Sequence, residues 1–277
     1  MSGRTCTTAT RLVGMASSIQ LSFSGLGARI LPDGFSASGR VLEIGGAEQS
    51  HVDLQDPTLI FYEYLRRIGN LADALAPAGR PVTAAHLGAG ALTLARYLQA
   101  TRPGSRQLAV DIERELPSFV MEQLPLPAGT DLKVLIEDAA SAAPRLRQEL
   151  DAPAGLDLVV LDIFSGWEAP AHLTTPAFYT DLRDSLAASG LLAVNVGDDP
   201  GLTFFAAQAR TMLEVFAEVW CLADEAMLTG QHAGNLILVG SSQPLTEELA
   251  DRLWAAGPHP AAVLGTGDLQ DLLAGLG

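Results

Sequence analysis

Apolar and polar positions change their spacing in a regular way from residue 82 towards the end of the chain. Short, mainly apolar runs are separated by stretches in which apolar residues recur every three or four positions. The runs are typical of buried strands, and the spaced stretches are typical of amphipathic helices. The runs stand at residues 82–87, 107–110, 132–136, 156–161 and 191–196. Because helical stretches lie between them, the pattern predicts an α/β fold with a mostly parallel, doubly wound sheet.

The pattern changes again near the C-terminus. Apolar runs at residues 215–222 and 235–239 have no helical stretch between them. We therefore expect these two runs to form an antiparallel hairpin at the end of the sheet. Helical spacing returns at residues 247–254 and 268–273, which predicts two terminal helices.

The chain before residue 57 has a different character. Residues 1–27 are rich in Ser, Thr and Gly and lack sustained periodicity, which predicts a disordered segment. Residues 28–56 combine short apolar runs with turn signals, which predicts a small antiparallel β-structure. Asp56-Pro57 has the form of a helix start, with an acid at the cap and proline at the first helical position. The main domain is therefore expected over residues 57–277.

The first strand-to-helix turn of the main domain is rich in glycine. Gly88-Ala89-Gly90 follows the run at residues 82–87, and the next run ends on Asp111. Glycine lets the backbone approach a ligand closely, and an acid about 20 residues further on can hold both ribose hydroxyls. The third glycine of a dinucleotide fingerprint is absent, since Leu92 and Thr93 occupy that region. The unit predicts a nucleoside site that suits S-adenosylmethionine or a relative better than NAD.

Three successive predicted strands end on acids, which are Asp111, the pair Glu137-Asp138, and Asp162. The carboxyl ends of parallel strands meet at one edge of a sheet, where ligands of such folds bind. Asp111 is expected to hold ribose, Asp138 to accept from the adenine amino group, and Asp162 to lie nearest the reacting centre. Each acid could instead cap a helix or lie in a solvated loop.

Composition narrows the function classes. The 277 residues include 32 acids and 17 bases, a net charge of −15. This excess repels nucleic acid and membrane surfaces and attracts cationic amines. No apolar run approaches the ~20 residues of a membrane span, and an apolar core of a secretory signal is absent. The two cysteines and the scattered histidines predict neither a disulfide scaffold nor a metal site. We expect a cytoplasmic protein.

Four longer stretches occur in an order that is similar to a known family. They are HLGAGALTLARYL, VDIERELPSF, IEDAASA and LVVLDIFSGWEAPAHLTTPAFYTDLRDSLAASGLLAVNV. Together they resemble the spermidine synthase (polyamine aminopropyltransferase) family, and particularly the spermidine synthase-like proteins of actinobacteria. The resemblance covers about residues 28–273. It implies a Rossmann-like domain of the class I methyltransferase type behind an N-terminal β-structure, commonly in a homodimer.

The resemblance also implies a reaction. The donor would be decarboxylated S-adenosylmethionine, and the acceptor a diamine such as putrescine. Asp162 would orient and deprotonate the attacking amine, with Tyr62 and Ser165 on the substrate side. The residues expected at the donor nucleoside are Gln49, Gly88, Ala89, Gly90, Asp111, Ile112, Asp138 and Ala139.

Two positions depart from the family pattern. Family synthases carry an acid in the Gly-rich loop, as GGGDG, where this chain reads Gly88-Ala89-Gly90-Ala91-Leu92. They carry a second acid three residues after the catalytic one, where this chain has Ser165. Both missing acids would bind cationic amines, and a buried ammonium without a counter-charge is costly. Two alternatives therefore stay open: a methyltransferase that uses S-adenosylmethionine, and a non-catalytic nucleoside-binding or scaffold protein of the same fold.

Overall fold

The computed structural model describes residues 17–163 and 169–276, which contain two sheets. The first is a four-stranded antiparallel sheet at the N-terminus. Its strands, in spatial and chain order, are β1 (Ser17–Gln20), β2 (Gly27–Pro32), β3 (Gly39–Ile44) and β4 (Ala47–Asp53). The N-terminal β-structure is confirmed, and Gly45-Gly46 forms its predicted hairpin turn.

The start of this sheet differs from the prediction. Disorder over residues 1–27 is wrong for residues 17–27, because Ser17 pairs with Ile30 and Gln20 pairs with Gly27. The strand was missed because its four residues are too few to display periodicity. Residues 1–16 lie outside the described part of the chain.

The second sheet has eight strands in the order β12-β10-β11-β9-β8-β5-β6-β7. These are β5 (Thr83–Leu87), β6 (Arg106–Asp111), β7 (Asp131–Ile136), β8 (Leu156–Leu161), β9 (Leu186–Asp198), β10 (Glu218–Ala223), β11 (Gly234–Ser241) and β12 (Ala262–Leu264). The central strands β9-β8-β5-β6-β7 pair in parallel. The predicted doubly wound, mostly parallel sheet is confirmed.

Helices connect and cover these strands. They are α1 (Glu63–Leu75), α2 (Thr93–Thr101), α3 (Leu116–Gln123), α4 (Ala139–Ala142), α5 (Leu146–Glu149), α6 (Pro176–Ser185), α7 (Thr203–Val215), α8 (Glu225–Leu228), α9 (Glu247–Ala256) and α10 (Thr266–Gly275). Short 3-10 segments occupy Ala143–Arg145 and Ala171–Thr174. Of the described helices, none is both long and apolar enough to cross a membrane.

The C-terminal hairpin is confirmed, with two additions. β10 and β11 pair antiparallel, and β11 lies between β10 and β9. The short helix α8 interrupts the connection, where no helix was expected. The edge strand β12 was not predicted either, since its three residues are too few to show a period.

The first helix of the main domain begins later than predicted. Asp56 does not cap a helix, because its Oδ1 accepts from the backbone N–H of Thr58 at 3.0 Å in a local turn. The helix α1 begins at Glu63, directly after Tyr62. At its other end, the buried Arg102 guanidinium donates to the carbonyl oxygens of Asp73 and Ala76. These bonds satisfy carbonyls that the last helical turn leaves free.

The main sheet is covered on both faces, as the apolar composition of its strands requires. In β8, Val159 packs on one face, while Leu158 and Val160 pack on the other. One core cluster lies under α6, α7 and α10, and the other under α1 and α9. A third cluster joins the N-terminal sheet to α2 and α3.

The N-terminal sheet is tied by hydrogen bonds to the edge of the main sheet that carries the predicted site. Ala91 N–H donates to Ser50 Oγ at 3.1 Å, and Thr93 Oγ1 donates to the carbonyl oxygen of His51 at 3.0 Å. The Glu113 carboxylate accepts from the backbone N–H groups of Phe23 and Ser24 at 3.1 and 2.8 Å. The sheet therefore forms part of the surroundings of the Gly-rich loop.

Candidate active site

The Gly-rich loop between β5 and α2 is packed against neighbouring backbone. Gly88 has a φ of +95°, and a Cβ there would lie 2.2 Å from the carbonyl oxygen of Asp162. Gly90 has a φ of +48°, and a Cβ there would lie 2.6 Å from Ser50 Oγ. Leu92 also lies in the left-handed region, at a φ of +58°. Glycine is thus required at position 88 by conformation and by contact with backbone, whereas the neighbour of Gly90 is a serine hydroxyl that can rotate.

Asp111 ends β6 and is bonded to the Gly-rich loop. Its Oδ2 accepts from the backbone N–H of Ala89 at 2.9 Å, and its Oδ1 accepts from that of Glu113 at 2.8 Å. Burial raises the pKa of the Asp111 carboxyl, and the two backbone hydrogen bonds oppose that rise. The carboxylate oxygens keep free lone pairs, so they can accept from further donors.

Asp138 follows β7 and has two partners. Its Oδ1 accepts from the backbone N–H of Ala140 at 2.9 Å, which caps α4. Its Oδ2 lies 2.8 Å from Nε2 of His172, in the 3-10 segment after β8. The helix-capping alternative therefore describes one oxygen of Asp138. The other faces a histidine, and Ala139 beside it is buried.

Asp162 follows β8 and is held from two sides. Its Oδ1 accepts from Asn195 Nδ2 at 2.7 Å, and its Oδ2 accepts from the Tyr64 hydroxyl at 3.3 Å. Burial raises the pKa of the Asp162 carboxyl, while the hydrogen bonds from Asn195 and then Tyr64 lower it. A carboxylate with a raised pKa is a stronger proton acceptor than a free aspartate, provided that it stays ionised.

Two tyrosines join Asp162 to the N-terminal sheet. The rings of Tyr62 and Tyr64 are stacked, with centroids 6.3 Å apart. The Tyr62 hydroxyl donates to Glu48 Oε2 at 3.1 Å. Burial and the nearby Glu48 carboxylate raise the pKa of Tyr62 to about 12, so its hydroxyl stays protonated at neutral pH.

The strand order brings most of the predicted site residues to one edge. β8, β5, β6 and β7 are neighbours, so Asp162, Gly88, Asp111 and Asp138 follow four adjacent strand ends. Ile112 is 36% exposed beside Asp111. Gln49 is exposed on β4, at an irregularity where Glu43 pairs with Glu48 and Leu42 pairs with Ser50.

Two polar residues of the main sheet, Asp198 and His86, have structural hydrogen-bond partners. Ser165 lies outside the described residues. Asp198, at the end of β9, accepts from the backbone N–H of Phe205 at 2.7 Å and so supports the start of α7. His86 is a core residue, with its Nε2 2.9 Å from Gln107 Oε1, and burial lowers the pKa of its ring. In the described part of the chain, no group of three or more His, Cys, Asp or Glu is placed to hold a metal ion.

Four partners of these residues were not singled out from the sequence: Glu48, Tyr64, His172 and Asn195. Tyr64 has the spacing of an apolar helix face, which gives no sign of a role in a site. Asn195 did leave a signal, because it is the polar residue within the apolar run at residues 191–196. A buried amide in such a run requires a hydrogen-bond partner, and here the partner is Asp162.

Three known proteins are similar to this chain in sequence or in fold. A probable spermidine synthase from Corynebacterium glutamicum superposes with a TM-score of 0.83, at 27% identity, over 95% of each chain. A polyamine aminopropyltransferase from Neisseria meningitidis is 25% identical over 252 residues, which cover 88% of each chain. A human methyltransferase-like protein 13 bound to SAH has a TM-score of 0.52 at 17% identity, over 76% of this chain and 89% of that one, and so shares the fold. No family model matches the chain.

The order and direction of the strands give a Rossmann-like fold of the class I methyltransferase type. Within that fold class, the chain is similar to spermidine synthases and polyamine aminopropyltransferases, the family that its sequence motifs resemble.

Proposed function

We propose that the protein transfers an aminopropyl group from decarboxylated S-adenosylmethionine to a small cationic amine such as putrescine. The single observation that carries the proposal is the contact between the Gly-rich loop and Asp162. A Cβ at Gly88 would overlap the Asp162 carbonyl oxygen, and Ala89 N–H donates to Asp111. Asp111, the proposed acceptor for the ribose hydroxyls, and Asp162, the candidate base, therefore both lie beside the backbone of Gly88 and Ala89. Transfer from a bound donor requires the donor site and the base to be this close.

In the proposed reaction, Asp111 accepts the ribose hydroxyls and Asp138 accepts from the adenine amino group. Gly88 and Gly90 allow the nucleoside to approach the loop, and Ala89, Ile112 and Ala139 are proposed to line it, with Gln49 at the sugar. Asp162 takes a proton from the acceptor nitrogen. The nitrogen then forms a bond to the carbon attached to sulfur, the C–S bond breaks, and the electron pair stays on the thioether that leaves. Tyr62 and Ser165 are proposed to face the acceptor.

The alternative of methyl transfer from S-adenosylmethionine has one specific observation in its favour. Ala91 stands where the family pattern has an acid, and its side chain is 1% exposed within the cluster that joins the loop to the N-terminal sheet. That position offers no anion to the donor's ammonium group. Aminopropyl transfer remains the main proposal because relatives that cover most of the chain are named polyamine aminopropyltransferase or probable spermidine synthase.

A product search tests the proposal directly. The protein is incubated with each donor and a panel of diamines, and mass spectrometry detects the products. The proposal expects an aminopropylated amine together with 5′-methylthioadenosine. S-Adenosylhomocysteine with a methylated acceptor would instead support the methyltransferase. Nucleoside binding without any product, from either donor, would support the non-catalytic alternative.

We extend the proposal to a cytoplasmic homodimer. Phe35 and Phe61 stack on each other with centroids 5.9 Å apart, yet they are 80% and 50% exposed. Such an exposed aromatic pair supports an interface that involves the N-terminal sheet. The acidic net charge of −15 opposes binding to nucleic acid or to membrane surfaces. Light scattering coupled to size-exclusion chromatography measures the oligomeric state, and a monomer at micromolar concentration would exclude the dimer.

A further inference from the structure

Asp162 receives its shortest side-chain hydrogen bond from an amide that is itself held in place. Asn195 is 6% exposed in β9, and its Nδ2 donates to Asp162 Oδ1 at 2.7 Å. Its other polar atom, Oδ1, accepts from Asn235 Nδ2 at 3.1 Å. Asn235 lies in β11, which pairs with β9 on the side away from β8. The series Asp162, Asn195 and Asn235 thus crosses three neighbouring strands, since Asp162 directly follows β8 and the two asparagines lie in β9 and β11.

The chemistry of the series determines which way the Asn195 amide points. An ionised carboxylate can only accept hydrogen bonds, so Asn195 must turn its NH₂ group towards Asp162. Its carbonyl oxygen then faces Asn235 and needs a donor, which the NH₂ group of Asn235 supplies. If the Asn195 amide were reversed, its oxygen would face the Asp162 carboxylate, and its NH₂ group would face the NH₂ group of Asn235. Neither pair can form a hydrogen bond. The two contacts therefore support each other.

We propose that Asn195 is a positioning residue that keeps Asp162 ionised and directs its Oδ2 to the acceptor amine, and that Asn235 sets the orientation of Asn195. The role in transfer rests on the proposed function of Asp162 as the base. The hydrogen bonds that join Asp162, Asn195 and Asn235, here called the relay, do not depend on that function, because they are present in the free protein.

The groups that face Asp162 make this role specific. The titratable group in contact with its carboxylate, among the described residues, is Tyr64 from α1. Tyr62 stacks on Tyr64, and Glu48 lies beyond Tyr62. Asn195 and Asn235 carry no charge, and no charged group of the described chain is paired with Asp162 by an ion pair. With burial favouring protonation, the Asn195 hydrogen bond is the largest opposing influence on the Asp162 pKa.

The test uses a carboxyl titration that does not require catalysis. ¹³C NMR follows the side-chain carboxyls of the folded protein with pH, and Asp162→Asn identifies the signal of Asp162. Asn195→Leu keeps the approximate shape of the side chain and removes the donor. We expect the Asp162 titration midpoint to rise by about one pH unit, since hydrogen bonds to the charged form favour that form. An unchanged midpoint would overturn the proposal.

Substitutions at Asn235 test the orientation of the Asn195 amide without removing the Asn195 side chain. In Asn235→Asp, the ionised side chain at position 235 can only accept hydrogen bonds. It therefore competes with Asp162 for the NH₂ group of Asn195 and turns that amide away from Asp162. Asn235→Leu leaves the NH₂ group on Asp162. We expect the midpoint to rise with Asn235→Asp and to stay within a few tenths of a pH unit with Asn235→Leu. Equal midpoints for these two variants would contradict the relay, and this comparison stands even where Asn195→Leu does not fold.

The added charge of Asn235→Asp is controlled by a double-mutant cycle. A direct charge effect on Asp162 persists in the Asn195→Leu background, whereas an effect through the amide is lost there. In the Asn195→Leu background, we expect Asn235→Asp to raise the Asp162 titration midpoint much less than it does in the wild type. An equally large rise in both backgrounds would refute the proposal that Asn235 orients Asn195. Kinetics then adds the link to function. In an active enzyme, the acid limb of the kcat–pH profile shifts with the NMR midpoint while the KM for the donor is unchanged. If the wild-type protein shows no transfer with any amine, the proposed function fails, but the NMR result on the relay remains.

Discussion

Asp111 offers a quantitative test of the nucleoside site. In the free protein, its two oxygens accept from the backbone N–H groups of Ala89 and Glu113. Replacement by alanine removes the acceptor for the ribose hydroxyls and leaves both N–H groups without this partner. A hydrogen bond to a charged group contributes ~1.5–3 kcal/mol. We expect Asp111→Ala to weaken nucleoside binding by ~2 kcal/mol or more, which is a ~30-fold loss of affinity.

Asp111→Asn is the matched control for this change. It keeps the side-chain shape and one acceptor oxygen, so one of the two backbone contacts can persist, but the charge is lost. We expect an affinity between those of the wild type and Asp111→Ala. Both variants should also unfold at lower denaturant concentration than the wild type, because Asp111 holds the Gly-rich loop before any ligand binds.

Isothermal titration calorimetry with 5′-methylthioadenosine measures these affinities directly. The pH dependence adds a second check. Burial raises the pKa of Asp111, so its ionised form is lost at a higher pH than for an ordinary aspartate. Binding should be full at neutral pH and should decline as the pH falls through that raised value. Affinity in Asp111→Ala equal to the wild type would refute the site assignment.

Three further predictions follow from other contacts. Asp162→Asn should slow transfer by ~10²-fold or more while nucleoside binding by calorimetry is unchanged; transfer within a few-fold of wild type would refute the base. The buried Ala91 provides no anion for the donor's ammonium group, so decarboxylated and intact S-adenosylmethionine should differ in affinity by less than ~100-fold. A larger preference for the decarboxylated donor would show that another residue binds this ammonium group. Hydrogen bonds from Ser36 and His51 lower the pKa of Asp33, so its contribution to stability is present above about pH 4 and is lost as the pH falls. Asp33→Asn should therefore lower the Tm at pH 7 more than at pH 3, and equal losses would contradict this.

The architecture followed from the sequence because burial on two faces leaves a clear pattern. Strands such as β5 and β8 are mainly apolar runs, and the helices between them keep their spacing. The segments that were missed are short, so their spacing shows no distinctive pattern. β1 exists through its pairing with β2, and Asp56 forms a turn in a sequence that is equally typical of a helix start. Neither outcome is encoded in local spacing.

The sequence predicted which acids of the site stand at neighbouring strand ends, but it did not predict the partners of their side chains. A parallel sheet places the residues that follow its strands at one edge, so Asp111, Asp138 and Asp162 could be grouped from order alone. Their partners come from unrelated parts of the chain, such as Tyr64 in α1 and His172 after β8. Because these contacts depend on side-chain direction across the sheet edge, one-dimensional spacing carries no information on them.

The contact between Gly88 and the carbonyl oxygen of Asp162 has a consequence for how this protein can change over generations. Any side chain at position 88 would displace the backbone of Asp162, since a Cβ there would lie 2.2 Å from that oxygen. A substitution at this point thus alters donor binding and acid placement together, and selection cannot adjust one while sparing the other. New donor preferences are therefore expected to arise at positions 89, 91 and 92, whose side chains do not meet Asp162 in this way. Position 88 should stay glycine even in descendants that adopt a different chemistry.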